Sequence, residues 1–324
     1  DGHVSDAARF QENAELGSDI MANRKKKQGT TNQVVARSRR LTFLAFSIPG
    51  IFLYSMFFIY PVLMGIYYSL TDWNGISRNV NFIGLANYVK IFTKSPRFRN
   101  AITFNLRYTV MYVALILVLG IFLALILNHK VKGITFFRAA FFLPAVLCGV
   151  TVGLIYGQIF YRVVPAVGKA LGIEALSTNI LGSKQLAIYG ILFVSVWQGL
   201  AMPTVLFLAG LQTIPTDLYE SAMIDGANSW QRFKFITMPF LIPVITVVLI
   251  LSVKGGLGIF DLIVALTDGG PARTTESVSY LVYADAFKNN KFSFAIAESV
   301  VVGMILALIS VVQIIFQNKK KVNR

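Results

Sequence analysis

Stretches without one charged side chain recur along this chain: between Arg40 and Asp72, Arg107 and Lys130, Arg138 and Arg162, Lys184 and Asp217, and Lys234 and Lys254. Each is about as long as the ~20 residues a helix needs to cross a hydrocarbon core of ~30 Å. A sixth apolar run follows Lys291, is interrupted once by Glu298 and ends at the basic tail Lys319, Lys320, Lys321 and Arg324. The pattern predicts an all-α polytopic membrane protein with six transmembrane helices, near 41–68, 104–127, 139–161, 186–211, 238–264 and 293–317.

Composition agrees: 55% of the 324 residues are hydrophobic and 14% charged, against roughly 25% charged in an average soluble domain. The formal charge of +15 lies in loops and termini rather than on one folded face, so membrane headgroups rather than nucleic acid are the expected partner. Cys148 is the only cysteine, which excludes an intrachain disulfide, and His3 and His129 are the only histidines. A histidine-rich metal site is therefore excluded. No cofactor or metal is expected in the chain.

Residues 1–40 are expected to form a disordered, cytoplasmic N-terminal region. Its first 20 residues are polar and acidic and precede Met21, which opens the basic stretch MANRKKKQ. Met21 is read as the natural start and 1–20 as an added extension. The run after Arg40 is too long for a signal-peptide core and is expected to stay as an anchor. The six spans then occupy 41–317 and a short basic tail 318–324. With an even number of spans both termini share a side. The basic residues favour a cytoplasmic location for them only modestly, because Arg78, Lys90, Lys94, Arg97 and Arg99 crowd the loop 72–103 on the opposite face.

Within the third span Gly149, Gly153 and Gly157 repeat every four residues, a spacing that lets a neighbouring backbone approach closely. Pro49 and Pro61 in the first span, and Gly255, Gly256 and Gly258 in the fifth, weaken their helices. The glycine cluster reads either as a hinge or as a tight contact.

The loop TIPTDLYESAMIDGANSWQRFKFITMP, residues 213–239, is the most informative segment. Thr216 can cap a helix whose first turn holds Asp217 and Glu220, where negative charge suits the helix dipole. Gly226 can supply the left-handed turn that ends it, and Asn228 or Ser229 can start a second short helix. About ten residues of helix are too few to be stable alone in water. Ser221 and Ala222, flanked by Leu218, Met223 and Ile224, give a close-approach surface bordered by apolar anchors. Such a surface suits a groove on another protein, or else the headgroups.

This loop resembles the EAA motif of binding-protein-dependent ABC importer permeases, in which Glu-Ala-Ala is followed by Gly and, nine residues on, by Ile-x-Leu-Pro. The matching residues are Glu220, Ala222, Gly226, Ile236 and Pro239; Ser221 and Met238 are mild departures. The resemblance implies the type I importer permease fold and a cytoplasmic coupling helix seated on an ATPase subunit through Thr216, Leu218, Glu220, Ser221, Ala222, Met223, Asp225 and Gly226. FIGLANY at 82–88 and FDLIVALTDGGPARTT at 260–275 further resemble carbohydrate permeases of the maltose and multiple-sugar type. The implied partners are a second homologous permease, two ATPase subunits that bind ATP and Mg2+, an external solute-binding protein, the lipid bilayer and an oligosaccharide. The implied location is a prokaryotic cytoplasmic membrane. The permease itself would be non-catalytic, in keeping with the lack of a G-x-x-x-x-G-K-[ST] phosphate loop and of a GxSxG elbow.

Lys254 and Glu298 depart from the family pattern. Counting ~1.5 Å per residue places both about 6 Å inside the same edge of the hydrocarbon core, so the sequence predicts that they pair, or that both face a wet cavity. Asp261, seven residues beyond Lys254, is a second expected partner. Sugar recognition combines aromatic faces with amides and hydroxyls, which makes Tyr156, Gln158, Tyr161, Trp197 and Gln198, with Lys254 and Glu298, the substrate-path candidates. Packing or interfacial anchoring is the competing reading of the aromatic and amide residues; a structural ion pair, or snorkelling to headgroups, is that of Lys254 and Glu298. Two rival functions stay open here: an ABC importer permease for a non-sugar solute, and an ion-driven secondary transporter using Lys254 and Glu298.

Overall fold

The computed structural model describes residues 43–128 and 141–322. The N-terminal region 1–40 with Met21, the segment holding His129 and Arg138, and the last two residues of the basic tail lie outside the described residues. The chain divides into two compact units at Gly65.

The first unit is the greater part of α1 (Phe43–Ser69), where the Tyr54 and Phe58 rings stack with centroids 5.2 Å apart. Over Ser55–Ile59 the helix winds wider, and the Tyr60 N–H bonds back to the Ser55 carbonyl. Pro61 explains the widening. It has no N–H for the carbonyl four residues earlier, so the ladder shifts by one residue. The same device recurs at Ile159–Val163 before Pro165 and at Phe233–Thr237 before Pro239.

The second unit holds the other spans. A short helix α2 (Ala86–Lys94) leads into α3 (Pro96–Asn128), and α4 (Gly149–Ala170) follows a break at residues 147–148. Next come α5 (Ala187–Gly199) and α6 (Ala201–Gln212), a pair bent by 48°. Then follow α7 (Thr216–Ile224), α8 (Ser229–Leu257), α9 (Asp261–Leu266), α10 (Val278–Tyr283, extended by a wider turn over Ala284–Lys288) and α11 (Phe292–Val322). Counting α5 and α6 as one span gives six spans among the described residues.

Several boundaries differ from the sequence expectation. The second span begins at Pro96, not near 104, because Arg97 and Arg99 sit on helix that projects past the apolar run; at ~1.5 Å per residue its 33 residues reach about 50 Å, well beyond a ~30 Å core. The third span is broken at 147–148 and runs on to Ala170 rather than stopping at 161. The fifth ends at Leu257, not 264, and Asp261 opens the separate helix α9. The fourth bends at Leu200, where Pro203 lacks the N–H that the Gly199 carbonyl would accept.

Packing then follows small side chains, because lipid supplies no hydrophobic force between helices. α3 lies along α6 and α8 around Ile116, Ala124, Phe207, Leu211, Leu241 and Val248. α9 lies on α4, where a Cβ on Gly153 would meet the Ala265 Cβ at 2.5 Å. The glycine stripe is thus a packing surface. Gly256 is likewise a tight contact rather than a hinge: its added Cβ would come 3.2 Å from the Thr109 Cα.

Candidate functional site

At one end of the second unit, α7 stands out from the bundle. Its N-cap is Pro215, not Thr216; the Thr216 hydroxyl instead reaches Asp217 Oδ1 at 3.4 Å. At the other end Gly226 adopts φ +79°. Its N–H bonds the Met223 carbonyl at 3.1 Å while the Ala227 N–H bonds the Ala222 carbonyl at 2.8 Å. This is the double-bonded helix stop that a left-handed residue permits. Asn228 then starts the next helix through a reciprocal bond pair with Gln231, at 2.8 and 2.9 Å. With a side-chain cap absent at Pro215 and a firm stop at Gly226, the nine residues hold a helical shape they could not keep alone.

One side chain ties α7 to the bundle. Tyr219 packs against the core of α3, α6 and α8 and its hydroxyl lies 2.8 Å from Thr237 Oγ1. The remaining candidates, Leu218, Glu220, Ser221, Met223, Asp225 and Gly226, are exposed, with Ala222 half-buried. Ile224 is 86% exposed. Apolar side chains held this far into solvent on a fixed helix make a surface ready for a partner.

Of the substrate-path candidates, Tyr156 packs on Trp197, and Gln198 bonds span backbone. The Tyr156 and Trp197 ring centroids are 5.3 Å apart, and Gln198 Nε2 donates to the Leu147 carbonyl at 2.9 Å. That bond links the break before α4 to the bend after α5. Irregular backbone at membrane depth is tolerated where it is buried in protein or lines a cavity. Gln158 and Tyr161 are exposed and join no such cluster. Lys254 is exposed on α8.

The expected Lys254–Glu298 pair is not formed. Glu298 is fully buried, and neither carboxyl oxygen has a hydrogen-bond partner. Neither Lys254 nor Asp261 takes part in an ion pair in the described residues. Equal depth along two helices does not put them on facing sides, and the end of α8 at Leu257 removes Asp261 from the Lys254 face.

Sequence reasoning misses a charged cluster at the end away from α7. Arg97 grips Glu276 through Nη2 at 2.7 Å and Nε at 2.9 Å and bonds Asp285 through Nη1 at 2.7 Å. Asn105 donates to the Leu257 carbonyl and accepts from the Val278 N–H, both at 2.8 Å. Together these bind the start of α3 to the end of α8 and to α10. The only signal in the sequence is Arg97 itself, which the charge pattern assigns to a loop. Nearby, Lys288 sits 2.6 Å from Asp268 Oδ1, a bond that pushes the Lys288 pKa up to about 12.

A family model described as "Binding-protein-dependent transport system inner membrane component" matches residues 116–321. This chain belongs to that family. The permease is 46% identical over 277 residues to "Multiple sugar-binding transport system permease protein MsmF" of Streptococcus mutans, covering 86% of this chain and 95% of the relative. It is 35% identical over 262 residues to "Probable starch degradation products transport system permease protein AmyD" of Thermoanaerobacterium thermosulfurigenes, covering 81% and 89%. In structure the permease is similar to a chain of a bacterial ABC transporter involved in the import of the acidic polysaccharide alginate, with TM-score 0.72, 23% identity and coverage of 87% and 96%. The α7 loop falls inside the family match, and the spans make this a multi-pass membrane protein.

Proposed function

We propose that this permease receives an oligosaccharide from an external binding protein and passes it inward by alternating access, coupled to partner ATPases through α7. It would work beside a second homologous permease and two ATPase subunits that bind ATP and Mg2+, with both of its own termini in the cytoplasm. The observation that carries the reading is α7: a short helix stopped at Gly226, with exposed apolar side chains, tied back to the span core through Tyr219. A push on α7 is transmitted to α8 through the Tyr219–Thr237 contact and to α3 and α6 through shared packing. Nucleotide and loaded binding protein then bias a two-state change in which side the path faces.

The relatives' names, multiple sugars and starch degradation products, support an oligosaccharide cargo. Tyr156 and Trp197 offer ring faces for the apolar side of a pyranose, and Gln198 a bonding group for its hydroxyls. The exposed Lys254 favours a second cargo reading, an anionic uronate oligomer. Uptake of labelled oligosaccharide into proteoliposomes holding the full complex, with internal ATP and no proton or sodium gradient, tests the proposal. Uptake under those conditions supports it. Uptake that needs an ion gradient and ignores ATP would instead identify a secondary transporter.

A further inference from the structure

The short helix α2 carries a two-sided pattern. Its inner side is fixed: Asn87 Nδ2 donates to the carbonyls of Ser69 and Thr71 at 2.8 and 2.9 Å, and the Tyr88 hydroxyl meets Ser69 Oγ at 2.7 Å. Ile91 is buried with Phe98 and Ala101 of α3 and Ala297 and Val301 of α11. The outer side is apolar. Phe82, Leu85, Val89 and Phe92 follow one another at steps of three, four and three residues, and all are exposed, Phe92 at 70%. That spacing places Leu85, Val89 and Phe92 on a single helical stripe.

Depth along the membrane is set by the neighbours. α2 is bonded to residues at the end of α1 and packs on the first turns of α3 and α11, so it lies where spans leave the bilayer. Tyr67, Tyr68 and Trp73 gather at the same level, Tyr68 and Trp73 stacked with centroids 4.8 Å apart, as aromatics do at headgroup depth. Charge adds the last element. Between Asp72 and Glu174 the sequence has no acidic residue, while Lys90, Lys94 and Arg99 are exposed around α2. Lys90 Nζ lies 5.1 Å from the Phe294 ring centroid on the first turn of α11.

We propose that the outer face of α2 is an anionic-phospholipid docking surface: Leu85, Val89 and Phe92 enter the headgroup boundary while Lys90, Lys94 and Arg99 meet lipid phosphates. This accounts for basic residues on a face where the positive-inside rule does not expect them. Arg97 belongs to the ion pairs, and Lys90, Lys94 and Arg99 belong to lipid.

The test uses the full complex with Cys148→Ser and a spin label at Val89→Cys or Phe92→Cys. It is reconstituted in phosphatidylcholine alone or in an equal mixture with phosphatidylglycerol. Collisions with oxygen report lipid and collisions with a neutral nickel chelate report water; Val118→Cys is the lipid reference and Asn79→Cys the aqueous one. In the mixture, oxygen collisions exceed nickel collisions at both sites. The ratio drops in phosphatidylcholine alone and, in the mixture, in Lys94→Gln/Arg99→Gln. Nickel-dominated collisions place the face in water and overturn the proposal. Low collisions with both reagents mean that another protein covers the face, which overturns it as well. An equal ratio in both lipids overturns the anionic assignment.

Discussion

Arg97 and Glu276, 179 residues apart, are joined by a forked ion pair, and the same guanidinium also holds Asp285. Both carboxylates are buried while the arginine is partly open. The fork fixes the start of α3 against the segment leading into α10, at the end of the second unit away from α7. Removing Arg97 leaves two buried carboxylates without their partner. Arg97→Ala is therefore expected to destabilise the purified complex by about 3–5 kcal/mol, read as a large drop in thermal unfolding temperature. Arg97→Lys is expected to recover part of this, since it keeps the charge but loses the two-pronged geometry.

Glu298 predicts the opposite behaviour. A buried carboxyl with no partner is costly, so Glu298→Gln is expected to leave stability unchanged or raised. Lys254→Gln combined with it is expected to be additive within about 0.5 kcal/mol. A coupling energy above that in a double-mutant cycle would show that the two residues meet in another state of the cycle.

The spans are legible because Asp, Glu, Lys and Arg are absent from runs of bilayer length. The end of α7 and the start of α8 are legible because Gly226 and Asn228 are local stop and start signals whose chemistry acts over three or four residues; the cap expected of Thr216 is not formed, and the N-cap is Pro215. The rest is long-range. Arg97 gives no local hint that its acids lie at 276 and 285. The bend at Leu200 lies in an unbroken apolar run where only Gly199 and Pro203 mark it. The failed Lys254–Glu298 pairing has the same cause: depth is readable from a count of residues, but the rotation of one helix against another is set by packing such as Gly256 on Thr109.

Lys288 gives a pH prediction. Its bond to Asp268 raises its folded pKa to about 12, above the ~10.4 of a free lysine. The bond's contribution is then fully present below about pH 10.4 and is lost as pH climbs through about 12. The stability difference between wild type and Lys288→Gln should stay flat from neutrality to about pH 10. Because the pair is exposed, the difference should be under about 1 kcal/mol and should shrink with added salt. Thermal unfolding across that pH range checks it.

Gly226 separates shape from space. A Cβ there would touch nothing within 4 Å, so Gly226→Val acts only through the backbone, at about 1–2 kcal/mol for the left-handed conformation. Assembly of the spans should persist while ATP-driven uptake falls steeply, as the end of α7 is displaced. Tyr219→Phe, which removes only the hydrogen bond to Thr237, should cost about 1 kcal/mol and reduce uptake less.

The most direct measurement is site-specific cross-linking from α7 in the full complex, using Met223→Cys or Ile224→Cys on a Cys148→Ser background. The predicted result is an adduct with a nucleotide-hydrolysing subunit whose yield changes between the nucleotide-free and ATP-bound states. An α7 cysteine that reacts with a membrane-impermeant thiol reagent added outside intact cells, and forms no adduct with an ATPase, would contradict the account.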